Sequence, residues 1–300
     1  MSPRRALLVA ATAGVLALGA CDVPTGTPDV PDDVVDDVTP ALDVELRQDR
    51  TQYADRRAVL HVTNGSDETL ALLGGTLGVP GFGPSSPDGE PRPRTLWPGG
   101  ARDVRIALGE VDCATAPPVV GHGEPAGTAE VRVARGEAEE HGPAIAVVVD
   151  VTDPHGRLAA VHAEECARRR VAEGATLRVL GLDRPADAGD PALLTVGVEP
   201  VAGGPDVSVV RVGATTLMAP ADGGPAWTGD ALVGDGEGRL RLDVVPARCD
   251  PHAVAEDKRG TFVPVYAVVD GEEQPVVYLP MPDELKAELF AYVSEACGWG

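Results

Sequence analysis

The chain is predicted to be mostly β, with two tandem β-sandwich domains and an amphipathic helix in the second. Three observations carry this. Short Val-rich stretches alternate apolar and polar side chains, as in Leu240-Arg241-Leu242-Asp243-Val244, which is the period of a half-buried strand. Gly and Pro recur at intervals of roughly eight to fifteen residues, the spacing of turns between short strands. The pattern of segments around one pair of cysteines is then repeated around a second pair.

The repeat sets the domain plan. Val104–Leu108 begins nine residues before Cys113, and Leu240–Val244 begins nine before Cys249. Upstream, Ala58–Val62 parallels Ala192–Val196 at nearly the same distance from its cysteine. Downstream, Ala144–Asp150 parallels Pro264–Asp270, each a Val-rich run ending at Asp. A second cysteine follows in each half, Cys166 and Cys297. Four cysteines in an oxidising compartment read as two disulfides, and the repeat pairs Cys113 with Cys166 and Cys249 with Cys297. The domains are assigned to 45–172 and 173–300. Each is Ig-like in the broad sense, without the Cys…Trp…Cys spacing of immunoglobulin domains.

Local signals complete the elements. Asp153-Pro154-His155-Gly156 and Val269-Asp270-Gly271-Glu272 have hairpin-turn chemistry. Pro282 suits a helix start, and Asp283 and Glu284 favour its positive end. Leu285, Leu289, Tyr292, Val293 and Ala296 share one face of that helix, and Gly298 caps it. A shorter helix is expected over Ala163–Arg170. Trp97, Trp227 and Trp299 are the large aromatics, and Trp97 and Trp227 are assigned to cores or domain edges.

The N-terminus defines an address. Arg4 and Arg5 precede an uncharged apolar run, Ala6–Ala17, too short to span a bilayer. It closes on Leu18-Gly19-Ala20-Cys21. These four residues resemble the lipobox of bacterial lipoproteins. The resemblance implies cleavage after residue 20, lipid on Cys21, and anchoring to the outer face of the cell membrane. Residues 1–20 are then a signal peptide. Residues 21–44, rich in Pro and Asp, are an acidic spacer expected to be disordered. Scarce Lys, Ile and Asn point to a GC-rich, actinobacterial source. The tract from Cys249 to Gly260, the densest polar stretch of the second half, resembles one in actinobacterial lipoproteins, which brings no activity with it. Its residues, Arg259 among them, read as a charged loop between strands, with a partner-binding loop as the alternative.

Charge and motifs narrow the function. Net charge is −22. Losing Arg4 and Arg5 with the signal takes −22 to −24. Such acidity argues against nucleic-acid binding, which needs basic patches. The spacer aspartates lack the pattern of an EF-hand loop. No serine sits in a nucleophile motif, and paired cysteines cannot act as nucleophiles. No cofactor motif is present. Arg168-Arg169-Arg170 reads as a solvated helix end paired with local acids. The expected role is therefore non-catalytic: binding or structural work in the cell envelope, with the membrane and another envelope or secreted protein as partners. The alternative is a metal site or enzyme in the first domain, built from His122, His141, His155, His162, Glu139, Glu140, Glu164 and Glu165. Imidazole and carboxylate suit zinc or copper, though no pair has ligand spacing on an expected element.

One test follows from the lipobox. Cys21→Ala should release the protein from membranes and move it from the detergent to the aqueous phase. Unchanged partitioning would refute the anchor.

Overall fold

A computed structural model describes residues 40–48, 52, 56–117, 119–121, 123–187, 189–229, 238–255, 257 and 259–299. The signal segment, Cys21, the spacer to residue 39 and His122 lie outside the described residues. Among those described, no helix is long and apolar enough to cross a membrane.

The protein is mostly β, in two Ig-like sandwich halves with a C-terminal helix. The first half contains β1 (Leu42–Arg47), β2 (Arg57–Asn64), β3 (Leu70–Gly78), β4 (Ser86–Pro87), β5 (Arg94–Leu96), β6 (Ala101–Ala107), β7 (Pro125–Arg135) and β8 (Ile145–Thr152). They form one sheet in the order β4-β6-β2-β1-β8-β7-β3-β5. The sheet curls over so that β3 packs against β6 and β4. Alternation explains the burial: Ala58, Leu60 and Val62 of β2 and Ala129, Val131 and Val133 of β7 face one core. β1 begins at Leu42 and buries Val44, so it takes in residues that the sequence assigns to the spacer. Pairing with β2 and β8 makes that segment a central strand.

The helix α1 (Arg157–Gly174) follows β8. It is far longer than its sequence signal. Asp153-Pro154-His155-Gly156 is not a hairpin turn. It is the helix lead-in: the Asp153 carboxylate accepts the Leu158 N–H at 2.8 Å, and Gly156 takes a left-handed φ of 60°. Leu158 and Val161 join the first core, while Ala167 and Val171 join the second. The helix thus crosses the 172/173 boundary read from the sequence.

The second half holds β9 (Ala175–Asp183), β10 (Ala192–Pro200), β11 (Val207–Gly213), β12 (Met218–Pro220), β13 (Ala226–Thr228), β14 (Arg239–Pro246), α2 (Pro251–Ala255), β15 (Phe262–Val269), β16 (Glu272–Glu273), β17 (Val277–Pro280) and α3 (Asp283–Ala296). One sheet runs β12-β14-β10-β9. The other runs β13-β11-β15, with β16 and β17 sharing the far side of β15. The Asp270-Gly271 turn, both residues at positive φ, makes the β15–β16 hairpin. Helix α3 buries Leu289, Tyr292 and Val293.

Side by side, the halves share one strand order. β4-β6-β2-β1 corresponds to β12-β14-β10-β9, and β8-β7-β3-β5 to β17-β15-β11-β13. A register shift falls at the same place in each, between Leu72 and Gly74 in β3 and between Val209 and Arg211 in β11. Each half ends in a helix disulfide-linked to the loop after its β6 or β14 strand: Cys113–Cys166 and Cys249–Cys297, separated by 53 and 48 residues. The order also corrects one sequence match. Ile145–Thr152 corresponds to β17, and β15 corresponds to β7, so the Val-rich runs aligned at 144–150 and 264–270 are one strand apart. The halves differ at one seam. A parallel pairing of Val44 with Val151 and Glu45 with Thr152 joins the two layers of the first half. β9 and β17 touch, with no ladder among the described residues.

The shared helix gives the two disulfides unequal reach. Closing a loop of about fifty residues is worth ~4 kcal/mol in the chain-entropy model. Replacing Cys113 and Cys166 with Ala should cost on that order and lower the protection of amides in both cores, because α1 belongs to both. Replacing Cys249 and Cys297 should lower protection in the second core alone. Hydrogen exchange resolved by residue measures this, and equal effects of the two removals would contradict the shared helix.

Candidate functional cleft

Strand alternation builds a second surface on the outer face of the β13-β11-β15-β17 sheet. Val212, Trp227, Val263, Val265 and Val277 point into the core. The intervening residues point outward: Arg211 on β11, Thr228 on β13, Phe262, Pro264 and Tyr266 on β15, and Tyr278 on β17. Register aligns them across the sheet, Arg211 opposite both Thr228 and Tyr266, and Pro264 opposite Tyr278. A bare sheet face would be flat. Here the loop after β11, with Ala214, Thr215 and Thr216, and the stretch after β14, with Arg248 and Arg259, rise as walls. The result is a cleft of about 710 Å³, within the usual range for ligand pockets.

Polar contacts lock the walls together. Asp257 accepts the Thr216 hydroxyl and the Gly260 N–H. The Thr215 hydroxyl donates to the Gly260 carbonyl at 3.0 Å. The Cys249–Cys297 bridge ties the base of the second wall to the end of α3. Gly213 keeps the floor open, since a Cβ there would lie 2.9 Å from Pro264 Cγ.

Two arginines stack on the two tyrosines. Arg211 Cζ lies 3.5 Å from the Tyr266 ring centroid, and Arg259 Cζ lies 4.2 Å from that of Tyr278. Stacking covers the ring face and leaves the in-plane N–H edge of the guanidinium for partners. With Arg248, three arginines line the cleft. Among the described lining residues there is no Asp, Glu, His or Cys. In a chain of net charge −22 this is a local inversion of sign. Glu164 of α1 reaches Arg259 from behind, at 3.6 Å. Its burial pushes its pKa above the usual value, and Arg259 works against that shift.

The first half supplies an internal comparison. Across the shared bulge, Gly74 and Arg132 occupy the positions of Arg211 and Tyr266. A guanidinium–ring stack cannot form from that pair. The first half instead has a smaller cleft of about 330 Å³ beside β3 and β6, where Asp88, Glu90, Arg92, Arg94, Asp103 and Arg105 mix both signs.

The metal candidates do not converge. His141 is exposed and its Nδ1 lies 2.9 Å from the Gly142 carbonyl. His155 is exposed in the turn before α1. His162 is buried, with Nε2 3.0 Å from the Asp112 carbonyl and its ring edge-on to Phe82. Glu165 binds Arg56 at 2.6 Å. Glu139 and Glu140 are exposed. Among the described residues no three His, Cys, Asp or Glu side chains are grouped to hold a metal ion. Of the arginine run, Arg169 bonds to the Val111 carbonyl and Glu110, and Arg170 to Glu173 and Asp270. Trp227 is buried and donates to the Asp243 carbonyl at 3.0 Å, whereas Trp97 is half exposed.

Sequence reasoning reached Arg259 through the Cys249–Gly260 tract and missed Arg211, Arg248, Tyr266 and Tyr278. Alternation was an available signal for Tyr266, which faces away from Val263, Val265 and Ala267. For Arg211 it misleads, because the register shift between Val209 and Arg211 turns Val207 and Val209 inward before it and Val212 inward after it.

No protein-family model matches the chain, and no curated protein matches its sequence. Among solved structures it is similar to invasin, a bacterial integrin-binding protein, at 10% identity, with 80% of this chain and 39% of that one covered and a TM-score of 0.19. It is similar to the D0-D1 domain of intimin at 14% identity, covering 80% and 98%, with a TM-score of 0.17. A β-glucuronidase of Parabacteroides merdae follows at 11% identity, covering 80% and 24%, with a TM-score of 0.15. The chain thus spans well under half the length of invasin. Superpositions this loose carry no functional argument, so the reading rests on the cleft.

The half-buried Glu164 carboxylate behind the cleft gives a pH test. Because folding raises its pKa, Glu164 contributes stability that is present below about pH 4.5 and is lost as pH rises through the folded value. Glu164→Gln should therefore gain in Tm relative to the native chain at pH 7, with the gain shrinking toward pH 4. A variant that is less stable at pH 7 would mean that the Arg259 pair outweighs desolvation.

Proposed function

We propose that this protein is a lipid-anchored binding protein on the extracytoplasmic face of the cell membrane, and that it contacts its ligand through the cleft of the second half. The observation that carries this reading is the arginine–tyrosine cleft, built on one half and absent from the equivalent place in the other. Two bridged cysteine pairs suit an oxidising compartment. The lipobox-like Leu18-Gly19-Ala20-Cys21 supplies the anchor. Lipid on Cys21 would hold the folded body at the membrane, and a Pro- and Asp-rich spacer would give it reach.

A non-catalytic role fits the lining. General acid–base work needs a group that titrates near the working pH, and nucleophilic work needs an activated hydroxyl or thiol. Arginine remains charged, and the hydroxyls of Thr215 and Thr216 are already engaged in holding the walls. Such a lining can bind and orient.

Photo-cross-linking on intact cells tests the assignment. A photoreactive residue at Thr228, on the cleft, should give a discrete adduct that an excess of the released Cys21→Ala protein competes away. The same residue at Val148, on an exposed strand of the first half, should give none. Equal labelling from both positions would refute the cleft as the contact surface.

A further inference from the structure

We infer that the cleft selects a compact oxyanion, a carboxylate or phosphate group on a small ligand or chain end, and that the stacked guanidinium of Arg211 is its principal donor. This rests on the binding role proposed above and adds the chemistry of what is bound.

The stacks decide between two uses of a tyrosine-lined cleft. An open tyrosine ring offers its face to a sugar or a base. Here Arg211 and Arg259 already occupy ring faces, at 3.5 Å and 4.2 Å from the centroids. What Arg211 presents to a ligand is its guanidinium edge, a rigid fork of N–H groups that matches a carboxylate or phosphate two bonds at a time, whereas the Arg259 guanidinium is shared with Glu164. Arg211 lies opposite Thr228 in the register, so an exposed hydroxyl stands in the same row. Tyr266 and Tyr278 are on adjacent strands, two residues out of step, which sets their Cα atoms ~8 Å apart. One ligand of modest size can therefore meet both stacked arginines.

Charge limits the length of that ligand. The chain as a whole is acidic, at −22, so beyond the three arginines a long anion meets a net negative molecule. Fields reach ~8 Å at physiological ionic strength. A long polyanion would run off three arginines onto a repelling surface, whereas a compact anion would meet only the cleft.

Glu164 sharpens the inference. Its carboxylate stands 3.6 Å from Arg259 and acts as an internal competitor for the same cation. Removing its charge should improve the site, an outcome that mere damage to the fold cannot mimic.

The test uses the purified full-length protein in detergent, with inorganic phosphate, malonate, a neutral maltooligosaccharide and dextran sulfate as probes. Binding is read from the arginine Nε–H resonances and by calorimetry. Phosphate or malonate should shift the Arg211 and Arg259 signals, and whichever binds tighter identifies the headgroup. Arg211→Met should weaken that binding about tenfold or more. Tyr266→Leu, which keeps every charge but frees the fork, should weaken it by a smaller factor. Glu164→Gln should tighten it. Dextran sulfate should bind no more strongly than the small anion. Binding of the neutral saccharide with no response to either anion would overturn the oxyanion inference and leave the binding role standing. Tight, steeply salt-dependent binding of dextran sulfate would overturn the limit to compact ligands. Arg211→Met without effect on an anion that does bind would remove Arg211 from its assigned part. Silence toward every probe, together with equal cross-linking from Thr228 and Val148, would instead defeat the binding role itself.

Discussion

The helix that follows β8 is the constraint on which the rest of the molecule depends. Its first turns fill the first core and its last turns fill the second, so neither half can complete its interior alone. Three tethers fix it. The Cys113–Cys166 bridge holds its middle to the loop after β6. Arg56, at a left-handed φ of 53°, ties Glu165, Glu110 and the Gly109 carbonyl together. Arg169 reaches the Val111 carbonyl. Glu165 is among the few buried charges, and a buried charge is tolerable only when paired and hydrogen-bonded. The ion pair is therefore better understood as fixing the helix's rotation than as a large source of stability. Rotation matters, because it decides which face turns toward the second half and hence that Glu164 stands behind Arg259.

Two halves with one strand order let the same scaffold be compared with itself. Both carry the bulge in the strand that follows the first hairpin, and a bulge re-aims the side chains beside it. In β3 the residue after the bulge is Gly74, paired with Arg132. In β11 it is Arg211, paired with Tyr266. The same bulge thus borders a small cleft of mixed charge in one half and carries a stacked guanidinium in the other. The seam differs as well. Parallel pairing of β1 with β8 closes the first half into one continuous sheet, which removes two strand edges from solvent. The second half keeps its layers separate, and β15 carries β16 and β17 in succession along one edge, with Tyr278 beside Pro264.

How much of this was legible in the sequence follows from the range of each interaction. Period-two alternation is local, so strands such as Leu240–Val244 could be read directly. The cysteine spacing reported the repeat because a disulfide anchors the same element in each half. The α3 helix was legible because Pro282, Asp283 and the apolar face all act within a few turns. Helix α1 was legible only in its middle, over Ala163–Arg170; its outer turns, from Arg157 and on to Gly174, run beyond that reading and carry Leu158 and Val161 into the first core and Val171 into the second. Its lead-in uses the same Asp-Pro-x-Gly chemistry as a hairpin, so that segment was misread. Matching 144–150 with 264–270 failed for a related reason: Val-rich strands look alike, and only pairing partners distinguish β8 from β15. The histidines and glutamates of the first half are near in sequence, yet Glu165 and His162 point inward while His141 and His155 remain exposed. The cleft was the least legible feature. Its residues come from four strands and two loops, from Arg211 to Tyr278, and no local window contains an Arg–Tyr stack whose members are 55 residues apart, as 211 and 266 are.

Why an acidic protein should hold its arginines flat against tyrosines has a physical answer. An unsupported arginine on a sheet face carries about 2 kcal/mol of side-chain rotamer entropy, part of which is lost whenever it grips a ligand. Stacking restricts the side chain beforehand, so less ordering remains at the moment of binding. In Arg211 it also leaves the N–H edge turned away from the ring and accessible to a ligand. The alternative design, a cleft lined by mobile lysines, would attract anions equally well at long range but would hold them as point charges without directional pairing. In a molecule whose overall field repels anions, long-range attraction contributes little, and recognition has to come from contact geometry inside the cleft. Fixed forks on a rigid sheet, walled by loops that Asp257 and the Cys249–Cys297 bridge hold in place, meet that requirement.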